Sequence, residues 1–159
     1  MNTTGMYSIV RHPLYLGNYF IWLGISLFVR RWWLTLIITL IFWLYYERIM
    51  FAEEDFLQEK FGDSFSEWAA KTPAFIPRLQ NWVKAELPFS FRNVLKREYG
   101  GFFAIMAIFT LLEVLSELFR SHQFKLELMW IIIFGLSLAI YLTLRTLKKH
   151  TKLLNVEGR

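Results

Sequence analysis

Long apolar blocks, each near the length of one membrane-crossing helix, constrain this chain more than any other feature. Four stand out: Leu14 to Val29, Trp32 to Tyr46, Gly100 to Phe119 and Leu128 to Leu144. A bilayer core of ~30 Å is crossed by about 20 helical residues, with a range of about 17–25. The first two blocks are short on strict counting, but flanking Tyr, Trp and Arg extend them by sitting at the interface or snorkelling to it. Hydrophobic residues make up 55% of the chain and charged residues only 19%, against roughly 45–50% and a quarter in soluble domains. This excludes a disordered chain, a collagen-like chain and an ordinary soluble enzyme. None of the blocks reads as a cleaved signal peptide, since Met1 to Ile9 has no basic side chain and no small-residue cleavage site follows.

With 18 Lys/Arg against 13 Asp/Glu, the formal net charge is +5. Basic excess is one mark of nucleic-acid binding. Here the charges flank apolar blocks rather than forming a stripe, which points to a membrane and no nucleic acid. If residues 47–99 face the cytoplasm, 14 of the 18 Lys/Arg lie inside and only Arg30, Arg31, Arg120 and Lys125 lie outside. The positive-inside rule favours that orientation. Cysteine is absent, so a disulfide framework and a thiolate metal site are excluded. His12, His122 and His150 are too scattered for a zinc site.

The expected fold is therefore all-α and polytopic, with four transmembrane helices in two hairpins and a cytoplasmic cap between them. Residues 47–61 read as a continuation of the second helix, stopped by Gly62. The segment 71–78 is a breaker, because Pro73 and Pro77 oppose regular helix. The reading divides the chain into a membrane core with cap (1–79), an interfacial amphipathic linker (80–99), and a C-terminal hairpin with a basic tail (100–159). The linker mixes Trp82, Leu87, Phe89 and Phe91 with Lys84, Arg92, Lys96 and Arg97, an interfacial pattern.

Two polar clusters carry the chemistry. One is Arg11-His12-Pro13-Leu14-Tyr15-Leu16-Gly17-Asn18. Pro13 suits a first helical turn, where its missing N–H costs nothing. Tyr15, Asn18, Tyr19 and Trp22 then share one helix face. Gly17 and Gly24 share another and would permit close helix contact. The second cluster is Glu47, Arg48, Glu53, Glu54 and Asp55 at the far end of the second helix. Tyr15 and Glu47 each lie roughly 22 Å along their helices from the hairpin tip. A tight hairpin would therefore gather a cation, an imidazole, a phenol and two carboxylates around one cavity at the inner interface. Glu113 and Glu117 sit in the last turns of the third block. As carboxylates in an apolar segment they are candidates by default, read as wet or paired near the outer surface.

The string Gly5 to Gly17 with Arg11-His12-Pro13-Leu-Tyr15-Leu-Gly17, an apolar hairpin, then Glu53-Glu54-Asp-Phe-Leu57 to Phe61-Gly62, Phe65, Trp68, Pro73 and Ile76-Pro77, resembles the C-terminal half of the isoprenylcysteine carboxyl methyltransferase and phospholipid methyltransferase superfamily. The resemblance covers about residues 3–79. It implies S-adenosylmethionine as cofactor and a lipid or lipidated acceptor reached from within the bilayer. His12 and Tyr15 would contact the cofactor, the Pro13–Gly17 backbone would shape its pocket, and Glu54 with Glu53 would hold its cationic or ribose end. Arg11 and Arg78 are the candidates for an anionic acceptor. A prenylcysteine carboxylate or lipid phosphate is already a nucleophile, so O-methylation is favoured over amine N-methylation. Alignment of donor and acceptor supplies most of the catalysis of such a displacement.

Membrane sterol reductases, which use a nicotinamide cofactor, carry a similar Arg-His-x-Asn-Tyr-x-Gly-Glu string. Here Leu14 precedes Tyr15 and Asn18 follows Gly17, which favours the methyltransferases. A catalytically inert membrane scaffold is the non-enzyme alternative. The superfamily also carries membrane helices before the Arg-His-Pro string, which here begins ten residues from Met1. The expectation is an N-terminally shortened member whose site takes its remaining wall from upstream helices, a second copy or another subunit. Residues 81–159 add a hairpin that the simplest members lack, and Phe65 and Trp68 stand where tyrosines are frequent.

Overall fold

A computed structural model describes residues 1–123, 126–151 and 153–155. Lys125, Lys152 and Arg159, counted above in the charge distribution, lie outside the described residues. The described chain is helical and has no strand beyond one isolated antiparallel bridge, Gly5 to Val83. It divides into two compact units, Met1–Pro88 and Phe89–Arg159.

In the first unit a short helix α1 (Met6–Ile9) precedes α2 (Pro13–Phe28) and α3 (Trp32–Phe61). Pro13 occupies the first turn of α2, as its fixed φ favours. Helices α2 and α3 pack as a hairpin. The turn is tight: Arg30 adopts φ 56°, and its N–H donates to Leu27 O at 3.0 Å. Helix α3 runs 30 residues before Gly62, at φ 54° and ψ −128°, turns the chain into α4 (Asp63–Lys71). That backbone conformation favours glycine, which explains the stop there. Thr72 and Pro73 end α4, and only a 3₁₀ turn (Leu79–Asn81) interrupts the irregular segment that follows.

The second unit is a hairpin of α5 (Phe91–Ser121) and α6 (Leu128–His150). Ser90 caps α5 by accepting from Asn93 N, and His122 closes it in the left-handed conformation at φ 54°. The expected linker 80–99 is not a separate element. Val83 is bonded into the first unit, whereas residues 91–99 are the opening turns of α5. Helix propagation carries α5 back from the apolar block through Arg92, Lys96 and Arg97, because nothing between Phe91 and Gly100 breaks it.

Among the described residues three helices are long and apolar enough to cross a membrane: α3, α5 and α6. Helix α2 is apolar but has 16 residues, roughly 24 Å of rise against a ~30 Å core. Of the four expected spans, then, three have full length and the first is short. The apolar side chains of these helices are mostly uncovered; Trp32 is 77% exposed and Ile41 61%. So much bare apolar surface suits a lipid surround rather than water.

Candidate functional site

The Arg-His-Pro string is clamped on both sides. Arg11 N–H donates to Pro73 O at 2.8 Å and His12 N–H to Ala74 O at 3.3 Å, while His12 O accepts from Leu16 N in the first turn of α2. Upstream, Arg78 N–H reaches Ile9 O, and the Trp68 indole N–H donates to Tyr7 O at 3.1 Å. Residues 7–12 therefore lie between α4, the breaker segment and α2, and the side chain of His12 is buried.

From that position His12 and Arg11 face the paired glutamates of α3. His12 Nε2 lies 2.7 Å from Glu54 Oε1, and Arg11 Nη1 donates to Glu54 Oε2 at 3.1 Å. An ionised carboxylate only accepts, so Nε2 carries the proton of this bond. The other imidazole nitrogen, Nδ1, is 3.6 Å from Glu53 Oε2. The Tyr15 hydroxyl donates to that same Glu53 oxygen at 2.8 Å. Glu54 is thus held at both oxygens and only 20% exposed, whereas Glu53 is 44% exposed. Two carboxylates stand against one guanidinium, so the cluster has one anionic group beyond its guanidinium.

An aromatic column supports the network. The Tyr15 ring stacks on the His12 ring at 5.5 Å and meets Tyr46 at 5.2 Å. Tyr46 stacks on Phe42 at 4.0 Å, and Phe42 meets Tyr19, whose hydroxyl lies 3.4 Å from Thr39 Oγ1. Phe75, from the breaker segment, packs edge-on against Tyr19 and Trp43.

Of the residues singled out from the sequence, Arg11, His12, Tyr15, Glu53 and Glu54 form one bonded group, with Pro13 in the turn between them. Glu47, Arg48 and Asp55 join none of these bonds. Arg78 is exposed and lines a different groove of the same unit, together with Lys71, Glu67 and Asn81. Gly17 and Gly24 do not meet α3: a Cβ at either would touch nothing within 4 Å among the described residues. The reason is rotational, since α2 turns its tyrosine face, not its glycine face, toward α3. Glu117 pairs with Arg120 at 2.6 Å, as its place near a helix end suggested.

Sequence reasoning missed Tyr46, Phe42 and Phe75. Tyr46 was within reach, because it precedes Glu53 by seven residues and so shares its helix face. Phe75 carried no comparable signal, because no periodicity operates in a proline-broken segment.

Residues 1–64, which supply both walls of the bonded group, match the phospholipid methyltransferase family. The chain is 38% identical over 76 residues to the protein-S-isoprenylcysteine O-methyltransferase of Schizosaccharomyces pombe, a match covering 47% of this chain and 32% of that protein. It is 40% identical over 77 residues to the cobalt-zinc-cadmium resistance protein CzcN of Cupriavidus metallidurans, covering 48% and 35%. It is 32% identical over 79 residues to a probable protein-S-isoprenylcysteine O-methyltransferase of Oryza sativa subsp. indica, covering 49% and 41%. The chain thus spans well under half the length of these curated relatives. No solved structure matches it significantly. The N-terminal half of the chain, which holds the bonded Arg-His-Pro string and the paired glutamates, is thus similar to phospholipid methyltransferases and to isoprenylcysteine O-methyltransferases.

Proposed function

We propose that this chain carries the cofactor-holding part of a membrane-integral methyltransferase that uses S-adenosylmethionine and a lipid-borne acceptor. The observation that carries the reading is the bonded group joining Arg11, His12 and Tyr15 to Glu53 and Glu54. Its chemistry suits a cationic cofactor, because it holds a carboxylate in excess of its guanidinium at a partly desolvated position, where charge attraction is stronger than in water. S-adenosylmethionine supplies, when bound, an electrophilic methyl group on a positively charged sulfur. Glu53, the more exposed carboxylate, is the group with freedom to hold the cationic or ribose end. Glu54, fixed between His12 and Arg11, orients both. Tyr15 aims Glu53 through its hydroxyl. The Pro13–Gly17 backbone, the first turn of α2, adjoins this group.

Arg11 also has a role toward the acceptor. Its Nε is buried and has no hydrogen-bond partner among the described residues, which leaves a donor for an anionic oxygen. A carboxylate or phosphate acceptor is already a nucleophile and needs no general base, so O-methylation fits better than amine N-methylation. Next to Tyr46, a groove of about 330 Å3 lined by Trp22, Ile38, Ile41, Phe42, Tyr45 and Tyr46 is almost wholly apolar and would take a hydrocarbon tail. The basic-residue count supports a site facing the cytoplasm. Single cysteines at Ser64 and Thr151, in a chain that has none of its own, should resist a membrane-impermeant thiol reagent in intact cells; labelling of either before permeabilisation overturns that orientation.

The activity reading is tested by titrating the purified chain in nanodiscs with S-adenosylmethionine and with NADPH. S-adenosylmethionine should bind, and Glu54→Gln should weaken it by about tenfold or more, the worth of a charge-assisted bond. Binding of NADPH alone favours the reductase reading. Indifference of S-adenosylmethionine binding to Glu54→Gln removes the assigned role of the cluster.

A further inference from the structure

The breaker segment between α4 and the 3₁₀ turn lies deeper than an ordinary loop. Phe75 packs against Tyr19 of α2 and Trp43 of α3, with ring centroids 5.9 and 5.7 Å apart. Tyr19 is six residues into α2, roughly 9 Å along the helix from Pro13. Chain connectivity then holds the next residue, Ile76, at the level of the apolar helices, and Ile76 is 80% exposed. Leu79 is 74% exposed and Trp82 56%. In a 3₁₀ turn residues i and i+3 eclipse, so Leu79 and Trp82 stand on one edge.

Irregular backbone is tolerated at membrane depth only where its polar groups are met. Here Pro73 and Pro77 bring no N–H. Pro73 O and Ala74 O accept from Arg11 and His12, and Arg78 N–H donates to Ile9 O. The charged residues beside the segment are mainly basic. Lys71 and Arg78 line one open groove of about 750 Å3, with Glu67 as its only carboxylate among the described lining residues, and Lys84 follows close behind.

We infer that residues 73–82 form a lipid-embedded strap in the leaflet at the His12 end of α2 and α3. The side chains of Phe75 and Ile76 reach into the acyl region from a backbone that stays at its boundary, Leu79 and Trp82 lie at the headgroup level, and Lys71 and Arg78 meet the phosphates of anionic lipids. Tryptophan and basic side chains favour that boundary. The strap is bonded to Arg11 and His12, so its insertion fixes the depth of the His12–Glu54 group relative to the lipid headgroups. This inference depends on α2 and α3 lying in a membrane and not on the reaction proposed above.

The absence of native cysteine gives a clean test. Ile76→Cys, Leu79→Cys and, as a water-facing control on the extension of α3, Glu59→Cys are labelled with bimane in the full chain. Each is reconstituted with brominated phosphatidylcholine or brominated phosphatidylglycerol. Because Ile76 and Leu79 are largely exposed, these replacements remove little packing. Strong bromine quenching is expected at 76 and 79 and little at 59. At 79, phosphatidylglycerol should quench better than phosphatidylcholine, and Lys71→Gln with Arg78→Gln should lower that preference about fivefold per charge, the equivalent of about 1 kcal/mol per basic residue near an anionic surface. Quenching at 76 no stronger than at 59 overturns the strap, whether water or protein covers it. Equal quenching by the two lipids overturns the phosphate contact.

Discussion

The two units of this chain hold themselves together in different ways. In Met1–Pro88 the decisive bonds join residues far apart in sequence: Arg11 and His12 to Glu54, Tyr15 to Glu53, Trp68 to Tyr7, and Val83 N to Ser8 Oγ. In Phe89–Arg159 the side-chain hydrogen bonds mostly close within one helical turn, such as Thr110 to Met106 O, Ser137 to Phe134 O and Thr143 to Ala139 O. There, Tyr99 and Phe103 on Tyr141, and Phe103 on Phe134, join the two helices. Self-satisfied helices that meet through apolar and aromatic side chains need little more than length and hydropathy. A polar cluster at a membrane mouth needs every member paired, because an unpaired polar group is costly in low dielectric. The contrast sets the polar cluster of the first unit apart from the C-terminal hairpin.

The largest expected effect comes from deleting the shared partner. Glu54→Ala leaves Arg11 and His12 facing each other without their carboxylate and should destabilise the first unit by about 2–4 kcal/mol. Hydrogen exchange resolves this regionally. The amides of Arg11 and His12, which donate to the strap, should exchange faster, while those of α5 and α6 should not change. Equal acceleration in both units would mean that they unfold together, and the contrast would fail.

A smaller change sharpens the comparison inside the first unit. Tyr15→Phe keeps the ring on His12 and Tyr46 but removes the bond to Glu53. The loss should be about 1 kcal/mol, or about fivefold in S-adenosylmethionine affinity by titration calorimetry. An unchanged affinity would show that Glu53 needs no aiming by the phenol.

The smallest effect belongs to the second unit. Arg120 is 79% exposed in its pair with Glu117 three residues away, and Arg120→Ala should cost about 0.5 kcal/mol or less in thermal unfolding. A loss approaching that of Glu54→Ala would place an unrecognised polar centre in the C-terminal hairpin.

Much of this was readable in one dimension. Hydropathy marked the four apolar segments, Arg30-Arg31 marked the hairpin tip, Gly62 marked the end of α3, and Pro73 and Pro77 marked the irregular strap. Helical rise alone brought Tyr15 level with Glu47, and Arg11 and His12 to about the level of Glu53 and Glu54, one or two turns beyond it. Rise says nothing about rotation, however. Gly17 and Gly24 share a face, and spacing does not tell whether that face or the Tyr15–Tyr19 face turns toward α3. Arg78 and Arg11 are both candidates for an anionic acceptor on the sequence, and spacing does not separate them.

The sequence by itself determined which segments are helices, where they stop and which end of the hairpin is polar, because propensity, hydropathy and proline geometry act on neighbours along the chain. Only the tertiary structure decided that Glu54 is shared by Arg11 and His12, that Arg78 lines another groove, and that Phe75 tucks between Tyr19 and Trp43. Those outcomes depend on the rotation of α2 against α3 and on the path of a strap with no periodicity, both set by packing between residues dozens of positions apart.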